Sequence, residues 1–308
     1  MKNKSNRIVL FRFHDKFGIC KNKLDVIKHY NPGIRMYGLF GGEPKDLARA
    51  QKILGRKLIN IYQVPVTDSQ WKWRNGDLSL TDWFRNFGHT IDFNILYLIE
   101  WDLLQLGSFE DLYSRVPANG VGLTGLIAMK KIPKWNWIAR EPWKGQWNDL
   151  LAYAKEEYGY RGVPHGCLGP GNVFPRAFVE KYSEIEVPVL CHEEIRFPLF
   201  AQILGFKLFD NGFFKDWSSH DDAPYFSCAG KKIGIQKSVM DEEMEKATGR
   251  RCFHPCKEMF RISIPDNPLA AFLALENMTL AQPLKSSAIQ NLVNKRAPAC
   301  LVKSPGII

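Results

Sequence analysis

The stretch Phe93-Asn-Ile-Leu-Tyr-Leu-Ile-Glu-Trp-Asp102 decides the fold. Apolar but for Asn94, it runs straight into two acids separated by one tryptophan, the pattern of a strand buried on both faces that carries carboxylates to a sheet edge. Ligands of open parallel sheets gather at the carboxyl ends of the strands, so Glu100 and Asp102 fall where such a sheet does chemistry. Strand alternation places both on one face.

On either side, residues 7 to 128 alternate between strand and helix patterns, which predicts an α/β domain with a mainly parallel sheet flanked by helices. Strands are expected at Ile8 to Phe13, Arg35 to Phe40, Leu58 to Val64, Phe93 to Ile99 and Val121 to Met129. Helices are expected over Lys21 to Tyr30 and over Pro44 to Leu54, the second closed by Gly55, with a third capped by the Thr81 hydroxyl. Beyond residue 130 the prolines multiply, and His165-Gly-Cys-Leu-Gly-Pro-Gly171 reads as a binding loop. His192 to Gly205 reads as a helix with Ile195, Leu199 and Ile203 on one stripe and Pro198 near its first turn.

The chain has 308 residues with 45% hydrophobic and 24% charged content, an ordinary globular composition. A formal charge of +10 favours anionic partners and is compatible with peripheral contact to an anionic membrane surface, but the basic residues form no long run of the nucleic-acid-arm kind. Seven cysteines without a CxxC pair argue against a disulfide framework and for a reducing compartment. The apolar stretch after the basic N-terminus is broken by Arg12, His14 and Asp15, so no export signal is read, and no window approaches a membrane span. The expectation is a cytoplasmic protein.

Asp102 is the acid best placed to hold a divalent cation against phosphate oxygens, with Glu100 suited to a ribose hydroxyl or a metal-bound water. Glu193-Glu194 is a second acid pair, at a helix start where the macrodipole favours carboxylates for stability as well as for general-base work. Cys252-Phe-His254-Pro-Cys256 lacks zinc-site spacing, yet His254 alone could complete an oxygen-rich manganese site. Trp135, Trp137, Trp143 and Trp147 could wall an acceptor site or simply build a core.

In order and spacing, these landmarks resemble the nucleotide-diphospho-sugar glycosyltransferases of the GT-A fold, family 2-like: the opening strand Ile8 to Phe13, Asn31-Pro32 before a strand ending in Gly41-Gly42, Glu100-Trp101-Asp102, His192-Glu193-Glu194 and a late His254-Pro255. The resemblance implies a GT-A domain over 1–262, with a donor half at 6–129 and a loop-rich acceptor half at 130–262, and a C-terminal helix and tail over 263–308. It further implies a DXD-like motif with glutamate first, and Asp102 and His254 on Mn²⁺ or Mg²⁺. Glu194 would be the base of an inverting transfer, with Glu193 the next choice. Asp15, Asp82, Glu100, Trp101 and Asp102 would lie against a UDP- or GDP-sugar, and a glycan or other hydroxyl would be the acceptor. A sugar nucleotidyltransferase is a weaker reading, since Phe13-His-Asp-Lys-Phe-Gly18 carries only one Gly and one Lys. A nucleic-acid-binding protein, suggested by charge and aromatics, conflicts with acids at the end of the central strand.

Overall fold

The computed structural model describes residues 6–215, 217, 223–228 and 234–261. Chain order begins β1 (Arg7–Phe13), α1 (Phe17–Tyr30), β2 (Arg35–Phe40), α2 (Leu47–Leu54), β3 (Ile61–Gln63), α3 (Ser69–Arg74), α4 (Gly76–Asn86) and β4 (Ile95–Glu100). It continues through β5 (Leu104–Gln105), α5 (Phe109–Leu112), β6 (Val121–Ala128), α6 (Asn136–Ala139) and α7 (Trp143–Tyr158). There follow β7 (His165–Pro175), α8 (Arg176–Glu184), α9 (Glu193–Ile203), β8 (Leu208–Asp210), α10 (Lys237–Glu245) and β9 (Cys252–Phe253).

The main sheet has the order β3-β2-β1-β4-β7-β6-β8. β7 pairs antiparallel with both β4 and β6, while the remaining pairings are parallel, so six strands run one way and β7 runs against them. The mainly parallel, helix-flanked sheet read from the sequence is therefore the one observed. Alternation along β1 divides the core: Ile8 and Leu10 join the apolar layer beneath α4, α8 and α9, while Val9, Phe11 and Phe13 join the layer beneath α1 and α2. Successive elements leave β1 toward β2 and leave β4 toward β7, so the order reverses between β1 and β4. A crevice opens at the carboxyl ends of such a pair.

Several local expectations are corrected. Thr81 lies inside α4, its hydroxyl bonded back to the Asp77 carbonyl at 3.1 Å, because the helix begins five residues earlier at Gly76. The glycine-rich stretch 165–171 is the first part of β7, paired along β6, and a methyl group on Gly166 would stand 2.7 Å from Trp135. Pro198 sits in the interior of α9, where it cannot donate to the Glu194 carbonyl. That carbonyl instead accepts the Cys167 thiol at 3.4 Å. The C-terminal stretch 263–308 lies outside the described residues. Among the described residues, no helix is long and apolar enough to cross a membrane.

Candidate active site

A cleft of about 1530 Å³ opens at the carboxyl ends of β1, β2 and β4. Its floor is built on strand register. Arg12 and Glu100 are paired positions on β1 and β4, and the guanidinium reaches across to the Glu100 carboxylate. The same guanidinium donates to Glu193 at the start of α9, from Nη1 to Oε2 and from Nη2 to Oε1, both at 2.7 Å. Burial alone would lower the Arg12 pKa, but Glu100 and Glu193 outweigh it and the net shift is upward. Arg12 is a site residue that the sequence reading missed; the signal was a cation near the end of an otherwise apolar strand.

Gly76 makes this approach feasible. A methyl group on its Cα would stand 1.4 Å from Arg12 Nη1 and 2.1 Å from Glu193 Oε2, so only glycine fits where α4 begins. Behind it, Arg196 and Asp77 form a fully buried pair, Nε to Oδ2 at 2.7 Å and Nη2 to Oδ1 at 2.6 Å. Arg196 also donates to the carbonyls of Leu190 and Cys191 and to Asn75, while Tyr182 donates to Asp77. This network fixes the turn before α9, including Cys191 with its left-handed φ of 62°.

Glu194 points into the same cleft but is held differently. Its Oε1 accepts the Gly169 N–H at 3.0 Å and its Oε2 accepts the Trp137 indole N–H at 2.8 Å. Burial pushes its carboxyl up to about 8, against the pull of those two donors and with a further push from Glu193 and Glu100. Burial also raises Glu193, although Arg12 opposes it. The acid pair is thus split: Glu193 is clamped by an arginine, and Glu194 is held by two neutral donors. All three carboxylates converge on Gly169, where a methyl group would lie 3.2 Å from Glu100 Oε1, 3.3 Å from Glu193 Oε1 and 3.8 Å from Glu194 Oε1.

Beyond Glu100 the chain turns, with the Leu103 N–H on the Glu100 carbonyl at 3.0 Å, so Asp102 reaches the cleft through a turn rather than by strand alternation. Its Oδ1 lies 3.5 Å from His254 Nε2 and is buried without a hydrogen-bond partner. His254 Nδ1 faces the Ser227 carbonyl at 2.8 Å, which fixes that nitrogen as the donor and leaves Nε2 toward the acids. One ligand atom each from Glu100, Asp102 and His254 lies within 4.8 Å of the others. Burial would raise Asp102, but His254 and the local backbone hold it below the usual carboxylate range. A buried oxygen without a donor, beside an imidazole nitrogen and a second carboxylate, is a donor set that fits a hard divalent cation.

The remaining expected residues divide. Asp15 and Trp101 line the cleft, Trp101 edge-on to His14 at 5.5 Å. Asp82 does not line it: α4 carries it to Tyr62 and Asn86, whose side chains donate to it at 2.8 and 3.1 Å. Trp135, Trp137 and Trp143 line the cleft, whereas Trp147 packs against the core. Trp73, unremarked in the sequence, joins the wall from α3.

No protein-family model matches the chain, and no curated protein matches it. Among solved structures, the chain is similar to the apo structure of a bifunctional glycosyltransferase, WbbM, at 9% identity and a TM-score of 0.40, covering 82% of this chain. This chain spans 46% of the length of that one. It is also similar to a galactosyltransferase, LgtC, solved in complex with donor and acceptor sugar analogues, at 14% identity and a TM-score of 0.33, covering 62% of this chain and 70% of that one. An LgtC active-site mutant matches at 12% identity and a TM-score of 0.34, covering 64% of each chain.

Proposed function

We propose that this protein is a glycosyltransferase that moves a sugar from a uridine or guanosine diphosphate donor to an acceptor hydroxyl, with inversion. In this reading residues 6–129 form the donor half of a GT-A type domain and 130–262 its acceptor half. The observation that supports it most is the convergence, on one cleft at the β1/β4 switch point, of a cation-fitting set and a separately held, neutral-leaning carboxyl. Asp102 and His254 would hold Mn²⁺ or Mg²⁺, with Glu100 beside them. Such an ion, when bound, neutralises charge on a diphosphate leaving group.

The chain's own residues account for the rest. Glu194, once ionised, takes the proton of the acceptor hydroxyl; the oxygen forms its bond to the anomeric carbon as the bond to the diphosphate breaks and leaves with its electron pair. A carboxyl raised to about 8 is well matched to a general base working near neutral pH. The Gly169 and Trp137 N–H groups orient its two oxygens. Glu193, bound on both oxygens by Arg12, positions the floor and is not the base.

A thermal-shift panel of nucleotide sugars with and without Mn²⁺ tests the donor side, since a ligand that binds only the folded state raises its apparent stability. The expected result is a Mn²⁺-dependent shift that Asp102→Ala abolishes; an equal shift in that variant removes Asp102 from the site. Glu194→Ala should keep the donor shift and lose transfer, and full turnover in it moves the base elsewhere.

A further inference from the structure

One wall of the cleft is aromatic, with Trp73, Trp135, Trp137 and Trp143 in its lining. Trp73 is a large apolar residue left 53% exposed at the cleft. Its ring lies 5.6 Å from Trp137 and 5.2 Å from His192. Trp137 stacks on His192 at 4.6 Å and 14°, and donates to the proposed base Glu194. Thus the exposed indole and the indole that orients the base belong to one cluster. An indole face left open beside a reactive carboxyl suits the apolar face of a sugar ring.

The segment that carries Trp135, Trp137 and Trp143 is mainly basic. Residues 129–144 carry Lys130, Lys131, Lys134, Arg140 and Lys144, all exposed, against a single acid. That acid, Glu141, is engaged with the Gly145 N–H at 3.2 Å. Of these side chains Arg140 and Glu141 line the cleft, and Arg74 lies over Trp143 at 5.4 Å. The floor carries Glu100, Glu193 and Glu194, two of them tied by Arg12.

We propose that the acceptor is an anionic saccharide, its ring laid on Trp73 and Trp137 and its carboxylate or phosphate held by Arg140. This rests on the transferase reading and narrows its acceptor to a charged glycan. Trp73 sets the ring's distance from Glu194, and Arg140 selects for the anion.

The test is an array of matched oligosaccharide pairs: uronate-bearing and methyl-esterified, phosphorylated and dephosphorylated. Which acidic series is retained separates a carboxylate from a phosphate. The protein should retain an acidic member at least tenfold better than its neutral partner, and both Trp73→Ala and Arg140→Glu should lower that retention tenfold or more. Both side chains are solvent-facing, so an unchanged melting curve certifies each variant as folded. Equal retention of the neutral partners, retention of neither, wild-type retention in both variants, or equal displacement by a single-stranded oligonucleotide overturns the proposal. The Mn²⁺-dependent donor shift of the wild-type protein reads the transferase assignment separately: a donor shift without acidic preference removes only the acceptor proposal, and acidic preference without a donor shift removes the transferase reading and the acceptor role with it, leaving an anionic-saccharide site.

Discussion

Arg12 and Glu193, separated by 181 positions in the chain, meet through two N–H···O bonds of 2.7 Å, one from each terminal nitrogen to each carboxylate oxygen. The pair ties the carboxyl end of β1 to the first turn of α9. Because the same guanidinium also reaches Glu100, one side chain joins two acids that would otherwise repel at close range.

Arg12→Met leaves Glu193, 1% exposed, without its counter-charge. Breaking a buried pair by removing one partner costs about 3–5 kcal/mol. Urea unfolding should show that loss, and Arg12→Lys should recover only part of it, because an ammonium cannot form the two-pronged contact. A loss in Arg12→Met below about 1 kcal/mol would mean that the clamp carries little stability.

Gly76→Ala should act on the same clamp from the other side. With a methyl group 1.4 Å from Arg12 Nη1, either the guanidinium or the start of α4 must move. Overpacking of this kind costs about 1–3 kcal/mol. In an Arg12→Met background the substitution should cost less, since its main obstacle is gone. Additive losses in the double variant would place the strain elsewhere.

Glu194 makes stability depend on pH in a defined direction. Its carboxyl is raised to about 8 from an ordinary value of 4.5, so between those values the folded state keeps a proton that the unfolded chain has lost. Its contribution is therefore full below about pH 4.5 and is lost as pH rises toward 8, at most about 1.4 kcal/mol per pH unit. Glu194→Gln removes this dependence. The difference in unfolding free energy between wild type and variant should fall across pH 5 to 8, and a flat difference would show that Glu194 titrates normally.

Asp77→Ala should cost about 3–5 kcal/mol by stranding Arg196, a fully buried cation. Asp77→Leu combined with Arg196→Met should cost less than the sum of the two single changes, as expected for residues in one network. Additivity, measured by the double-mutant cycle, would show that the two side chains do not depend on each other.

The parts of this fold legible in the sequence are those where burial and period agree. β1, β2, β4 and β6 announce themselves as apolar runs ending at polar or glycine positions, and the Glu100-Trp101-Asp102 terminus marks the cleft. β7 was not legible, because the glycines and proline of its first half, paired along β6, are also the residues of loops. Arg12 was read only as an interruption of an apolar stretch, since its partner lies far along the chain and pairing at that separation leaves no local pattern. Asp82 looked well placed by its position before β4, but helical rotation turns it to Tyr62. Trp73 stands in Trp71-Lys72-Trp73, a pair the reading passed over, and its 53% exposure is a property of the folded wall alone.

The proline in α9 has a consequence for where the reactive carboxyl sits. With Pro198 unable to donate, the main-chain oxygen of Glu194 is taken by Cys167 and its side-chain oxygen by Gly169, both of β7. The carboxyl is thus moored to the sheet at two points. The placement of the base therefore depends on the strand as much as on the helix that carries it, and a change in β7 at Cys167 or Gly169 reaches the chemistry without touching α9.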